Sequence, residues 1–282
     1  MKPTIAVCLL AITGALTGAG TLPALGALYF NGFESDTFGW NGTLSRVTSG
    51  SGGIPSSSGG HHATTAAPNS PFTRWGGANG YNYGAGNGVP TVFKEYSTSI
   101  DVYLNVSGGW ANDTQFDFSS AINDSGGNHR RDFIFNAGFY NDVTGPGAGT
   151  DRFVISASNN SQPGSAYAKN PARSPVAIST SGWYTFGHRF YDSGGVLAVD
   201  MTIRDASSTL ISSWTLSNPT DLISSIGGNR YGWFDFNEFS TLAFDNAQLT
   251  VVPEPSTYVA GGLLLLPVVV GGVRRFRRAA SV

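Results

Sequence analysis

The chain has 282 residues, enough to bury a sizeable core without cross-links. Only 12% of them are charged and the formal net charge is −2, so the basic patches that hold nucleic acid are missing. Thirty-eight glycines, 12% aromatic residues and polarity carried mainly by Asn, Ser and Thr are the composition of extracellular β-rich binding domains.

Residues 1–26 read as a secretory signal peptide. Lys2 gives the positive start, the apolar run from Ile5 to about Leu16 is too short to span a membrane, and Ala24-Leu25-Gly26 sets small residues before a cleavage point. Signal peptidase and the export machinery are therefore expected partners. The only cysteine, Cys8, lies in this discarded piece, within the apolar run rather than after it. The exported chain then has no thiol for a disulfide, a nucleophile or a metal. Setting aside Lys2, Glu254 and the four terminal arginines leaves 11 basic and 17 acidic residues, a net charge of −6.

From 27 to 250 the sequence reads as one all-β domain. Short runs alternate apolar and polar residues between clusters of Gly, Asn, Asp and Pro, which predicts strands at 28–33, 44–47, 61–66, 98–106, 114–121, 132–140, 152–156, 183–191, 196–204, 210–216, 231–236 and 241–251. Ile100, Val102 and Leu104 share one face of their strand; Phe186, His188 and Phe190 share one face of theirs. No helical periodicity is sustained between 28 and 250. Many strands with frequent turns point to an antiparallel sandwich, a jelly roll rather than an immunoglobulin unit because no Cys–Trp–Cys pattern is present.

Three long loops stand out: the Ser/Gly stretch 48–60, the Gly/Asn/Tyr stretch 75–90 and the Pro-punctuated stretch 159–175. A sugar ring stacks on an aromatic face while amides and carboxylates hold its hydroxyls. Trp75, Tyr81 and Tyr83, set among glycines, are the first candidates for such a platform, and Trp110 after Gly108-Gly109 is another; a loop packed down by its own rings is the plainer alternative. Trp183, Trp214 and Trp233 sit in strand patterns and are assigned to the core. Asp101, Asp117 and Arg131 occupy outward positions of successive strands and are candidates for one shared sheet face. Arg130-Arg131 beside Asp132 predicts a cross-strand ion pair.

The C-terminus carries the most specific motif. Pro253-Glu254-Pro255 is followed by an apolar stretch, about 256–273, and then by Arg274, Arg275, Arg277 and Arg278. As a helix, that stretch is about 27 Å long, a minimal membrane span, and the arginines hold its end on the cytoplasmic side. This arrangement over 251–282 resembles the PEP-CTERM sorting signal. The resemblance implies recognition by an exosortase, a membrane-embedded cysteine protease-transpeptidase, with a membrane-anchored precursor released or transferred to the cell surface or extracellular matrix.

The two ends of the central domain also form a recognisable pair. Phe33-Glu34 with Gly39-Trp40, and Phe244-Asp245-Asn246 with Leu249, resemble the opening and closing strands of jelly-roll carbohydrate-binding modules and concanavalin A-like, lectin-like sandwiches. The resemblance implies that these strands lie side by side and that a structural Ca²⁺ links them through Glu34 and Asp245; turn-stabilising acids are the alternative. No Glu-x-Asp-x-Glu strand, Gly-x-Ser-x-Gly elbow or His-Glu-x-x-His helix is present, so no catalytic residue is assigned. The expected function is that of an exported, exosortase-processed surface or matrix protein whose domain binds or organises exopolysaccharide, as in a biofilm. A secreted glycoside-active enzyme with an unrecognised acid pair and a structural coat protein without ligand remain the alternatives.

Overall fold

Period-2 alternation drives the architecture, because each strand that alternates can bury one face only by facing a second sheet. A computed structural model describes residues 27–73, 92–159 and 168–251. Within them lie β1 (Ala27–Asn31), β2 (Trp40–Asn41), β3 (Ser45–Thr48), β4 (His61–Thr65), β5 (Phe72–Thr73), β6 (Tyr96–Leu104), β7 (Thr114–Asp124), β8 (His129–Tyr140), β9 (Arg152–Ser158), β10 (Val176–Ile178), β11 (Gly182–Ser193), β12 (Val196–Asp205), β13 (Leu210–Leu222), β14 (Ile226–Asn237) and β15 (Leu242–Val251). The strands form two antiparallel sheets packed as a sandwich. One runs β13-β12-β11-β6-β15-β4-β3, with β1 also bonded to β15; the other runs β10-β9-β8-β7-β14-β5-β2.

All twelve expected strands are present, with ends shifted by a few residues. The sequence reading missed β2, β5 and β10, which have only two or three residues each and so show no period. The expected signal peptide at 1–26, the whole 75–90 loop and the stretch 252–282, with its apolar run, lie outside the described residues. Among the described residues no helix is long and apolar enough to cross a membrane.

The inner faces are lined by phenylalanine. Phe116 and Phe118 of β7, Phe133, Phe135 and Phe139 of β8, Phe186 and Phe190 of β11, and Phe234 of β14 are fully or almost fully buried. Many meet edge-on, as Phe135 and Phe186 do at 5.0 Å and 87°, the arrangement aromatic quadrupoles favour. The resemblance motifs fall into this core: Phe33, Trp40 and Phe244 form one cluster, with Trp40 and Phe244 centroids 4.9 Å apart. Phe33 takes a left-handed backbone (φ 55°), held there by its own N–H donating to Asn31 Oδ1 at 2.6 Å. As the resemblance implied, the first and last strands are neighbours, with Tyr29 opposite Leu249 and Asn31 opposite Ala247.

One polar strut crosses the core. His188 of β11 is buried, and its Nε2–H donates to the Phe133 carbonyl of the opposite sheet at 3.0 Å. A carbonyl can only accept, which fixes the tautomer. Thr98 Oγ1 lies 3.4 Å from Nδ1 and donates to Ser120 Oγ, again across the sandwich. Burial pushes the imidazole down to about 3, so the strut is neutral at physiological pH.

Candidate functional site

The outer face of the seven-stranded sheet brings aromatic rings and polar groups together. Strand register lines them up in rows. Phe72 of β5, Trp233 of β14, Ser119 of β7, Ile134 of β8 and Ser158 of β9 are successive cross-strand partners. The next row holds Phe236, Asp117, Asn136 and Ser156, with Asp235 beside Phe236. The inner-facing residues of β7 and β8 are phenylalanines, so alternation turns Asp117, Ser119, Asn136 and Asp132 outward.

Phe72, Tyr231, Trp233 and Ser70 line a cleft of about 310 Å³ on this face. Tyr231 meets Trp233 edge-on at 5.6 Å and lies parallel to His129 at 6.1 Å, so the rings form a braced ledge rather than loose side chains. Beside the ledge, Ser119 Oγ and Asn136 Oδ1 are shut away from solvent and have no hydrogen-bond partner among the described residues. Each such group costs about 1–3 kcal/mol. The Asn136 amide nitrogen donates to Ser158 Oγ at 3.1 Å, which fixes the side chain with its oxygen unpaired.

Three carboxyl groups border the same face. Burial, reinforced by the nearby Asp235 carboxylate, pushes Asp117 up to about 7. Burial and the charge of Asp132 raise Asp235 in turn. Asp132 pairs with His129 Nε2 at 3.1 Å. The face therefore combines flat apolar surface, unpaired oxygen atoms and a carboxyl able to donate or accept near neutral pH, the mixture that polyhydroxylated rings bind.

The sequence candidates are distributed otherwise than expected. Trp75, Tyr81, Tyr83 and the sorting residues Pro253, Glu254, Pro255, Arg274, Arg275, Arg277 and Arg278 lie outside the described residues. Trp110 lines a separate cavity of about 350 Å³ on the eight-stranded sheet, together with Tyr103, Asn105 and Thr64. Its ring is folded back over Gly108, where any Cβ would stand 2.3 Å from the indole, and Nε1 donates to the Asn105 carbonyl at 2.8 Å. Trp233 is not a core residue: it is half-buried on the outer face, while its neighbour Phe234 fills the core. Asp101 belongs to the eight-stranded sheet and does not share a face with Asp117 and Arg131. Arg130 and Arg131 do not pair with Asp132. Both grip Asp221, fully buried at the end of β13, and Asp132 meets His129.

Glu34 and Asp245 hold one loop between them. The Glu34 carboxylate accepts the N–H groups of Gly60 (2.9 Å) and His61 (3.2 Å). Asp245 Oδ2 accepts those of Ser57 (3.1 Å) and Ser58 (3.3 Å), and Oδ1 that of Asn246 (2.8 Å). Asp101, directly opposite Asp245, takes the Ser57 hydroxyl at 2.6 Å and the Asn246 amide at 2.9 Å. Trp183 Nε1 donates to Pro55 O and completes the clasp. Burial pushes Asp245 up to about 7 against these donors. Calcium needs six to eight oxygen ligands. Here the carboxylate lone pairs face N–H groups, and no group of three or more Asp, Glu, His or Cys side chains gathers among the described residues. The residues present do not fit the ion.

No family model matches the chain, and no curated protein does. Among solved structures, the CBM2 module of Lactobacillus casei BL23 phage J-1 evolved Dit aligns with a TM-score of 0.41 at 15% identity, over 81% of this chain and 96% of that one. A Lotus tetragonolobus seed lectin isoform aligns with a TM-score of 0.41 at 11% identity, over 80% and 99%. Winged bean acidic lectin, solved with methyl-α-D-galactose, gives 0.40 at 10% identity, over 80% and 98%. Likeness of this degree transfers neither a site nor a ligand.

Proposed function

We propose that the chain is an exported, exosortase-processed surface or extracellular-matrix protein that binds polysaccharide on the outer face of its seven-stranded sheet. The observation that carries the binding half is the braced Phe72–Tyr231–Trp233 ledge bordered by Asp117, Asp132 and Asp235. A pyranose stacked on Trp233 sets its hydroxyls toward Asp117, which is partly exposed on the same face. The export half is supported by the sequence at the two ends: a signal peptide at 1–26, then Pro253-Glu254-Pro255, an apolar stretch and four arginines.

Affinity electrophoresis of the full-length chain through gels containing neutral and acidic polysaccharides tests the binding half. Retardation by at least one polymer is expected, weakened at least about tenfold by Trp233→Ala, since buried aromatic anchors carry about 2 kcal/mol or more. Free migration through the whole panel, or an unchanged Trp233→Ala variant, defeats the reading.

Glycoside hydrolysis is the second reading, favoured by one observation: Asp117, at about 7, lies within electrostatic reach of Asp235. Glycosidases use two carboxyl groups, one of them protonated at the working pH. Release of reducing sugar by the parent chain and none by Asp117→Asn would establish it; no release by the parent leaves binding as the function.

A further inference from the structure

A third cavity, of about 480 Å³, opens at the side of the sandwich between β13, an edge strand of the eight-stranded sheet, and the end of β9 in the other. Its third wall is the single 3-10 turn Pro171–Arg173. This size suits a small ligand. Trp214 ties the walls together: its Nε1 donates to the carbonyls of Arg173 (3.0 Å) and Ser174 (3.1 Å), while its ring meets Phe135 of the core edge-on at 6.2 Å. Asn170 caps the turn by accepting the Ala172 N–H at 3.0 Å, and Ser174 leaves it in a left-handed conformation (φ 50°). A non-glycine residue held there is strained, and such strain persists only where the surroundings over-determine it.

Arg173 is the odd residue in this setting. Its Nη1 is shut away from solvent with no hydrogen-bond partner. Arg130 and Arg131 share the Asp221 carboxylate, and Arg152 has Asp142. Among the described residues no carboxylate lines the cavity beside Arg173. The remaining lining is polar and aromatic, with Trp214, Thr215, Ser217, Asn159 and Asn170 around the opening. A guanidinium nitrogen without an acceptor is matched by a carboxylate.

We propose that this cavity binds a hexuronate residue, with the sugar carboxylate on Arg173 and the pyranose against Trp214. The site is separate from the aromatic ledge and does not depend on it. Calorimetric titration of the full-length chain with oligogalacturonate, with the matching neutral galacto-oligosaccharide and with acetate tests it. Uronate is expected to bind at least about tenfold more tightly than the neutral sugar. That preference disappears in Arg173→Gln, survives in part in Arg173→Lys, shrinks as salt is added and is untouched by Trp233→Ala. Trp214→Phe weakens uronate binding while leaving Arg173 in place, which gives an answer even if Arg173→Gln fails to fold. Equal affinity for the neutral sugar, no uptake of uronate, or acetate binding as tightly as uronate overturns the proposal. So does loss of uronate binding in Trp233→Ala with retention in Arg173→Gln, which would move the ligand to the ledge.

Discussion

Asp117 and His188 show how one sandwich handles ionisable groups on its two faces, and they pull stability in opposite directions with pH. His188 is pushed from the usual 6.5 down to about 3 by burial. Its contribution is complete above about pH 6.5 and is lost as the pH falls toward 3, because only the unfolded chain takes up the proton readily. Asp117 is pushed from 3.8 up to about 7. Its contribution is complete below pH 3.8 and is lost as the pH rises to about 7, where the folded chain must carry a half-buried charge beside Asp235. Asp117→Asn is therefore expected to have the parent's melting temperature near pH 4 and a higher one at pH 8, the gap opening between those values. A gap independent of pH in thermal melts would refute this. The sequence makes the burial of His188 legible, since it alternates with Phe186 and Phe190. It does not make the position of Trp233 legible: Tyr231, Trp233 and Phe234 are all aromatic, and strand alternation alone does not say which parity faces the core. The irregularity between Trp233 and Phe236, which leaves Phe236 44% exposed, blurs the pattern further.

Among the elements, the Ser/Gly stretch after β3 has the most consequence. Its composition reads as a flexible loop, yet five backbone N–H groups between Ser56 and His61 are received by side chains: one by Ser49, two by Glu34 and two by Asp245. Asp245 lies where β15 changes partner, between the segment bonded to β4 and the segment bonded to β1. Residues at that junction have no strand neighbour on one side, and the loop supplies the missing donors. Asp245→Ala should cost about 1–3 kcal/mol by leaving the Ser57 and Ser58 N–H groups unmet, and should expose the loop to limited proteolysis. Chelation with EDTA should leave the melting temperature unchanged; a fall on chelation that added calcium reverses would restore the ion to Glu34 and Asp245. The resemblance put the first and last strands together. What spacing cannot convey is the identity of the groups facing the carboxylates, because those come from a third segment. The two-residue strands β2 and β5 were invisible for a related reason: they exist only because β14 offers an edge for β5, and β5 one for β2.

For the whole molecule, the prediction concerns delivery. If the C-terminal signal acts as its motif implies, Glu254→Ala should accumulate as a full-length membrane-associated precursor, and replacing Arg274, Arg275, Arg277 and Arg278 with Ala should disturb its orientation. An unchanged size and location of the Glu254→Ala protein on an immunoblot of fractionated cells would reject that role. The strand order has a mechanical corollary. β15, the last strand, is not at a margin: it is bonded to β6 along one side and to β4 and β1 along the other. Tension drawn through the residues after Val251 is thus directed along the axis of a strand gripped from both flanks. It loads many rungs in shear together instead of unzipping them singly.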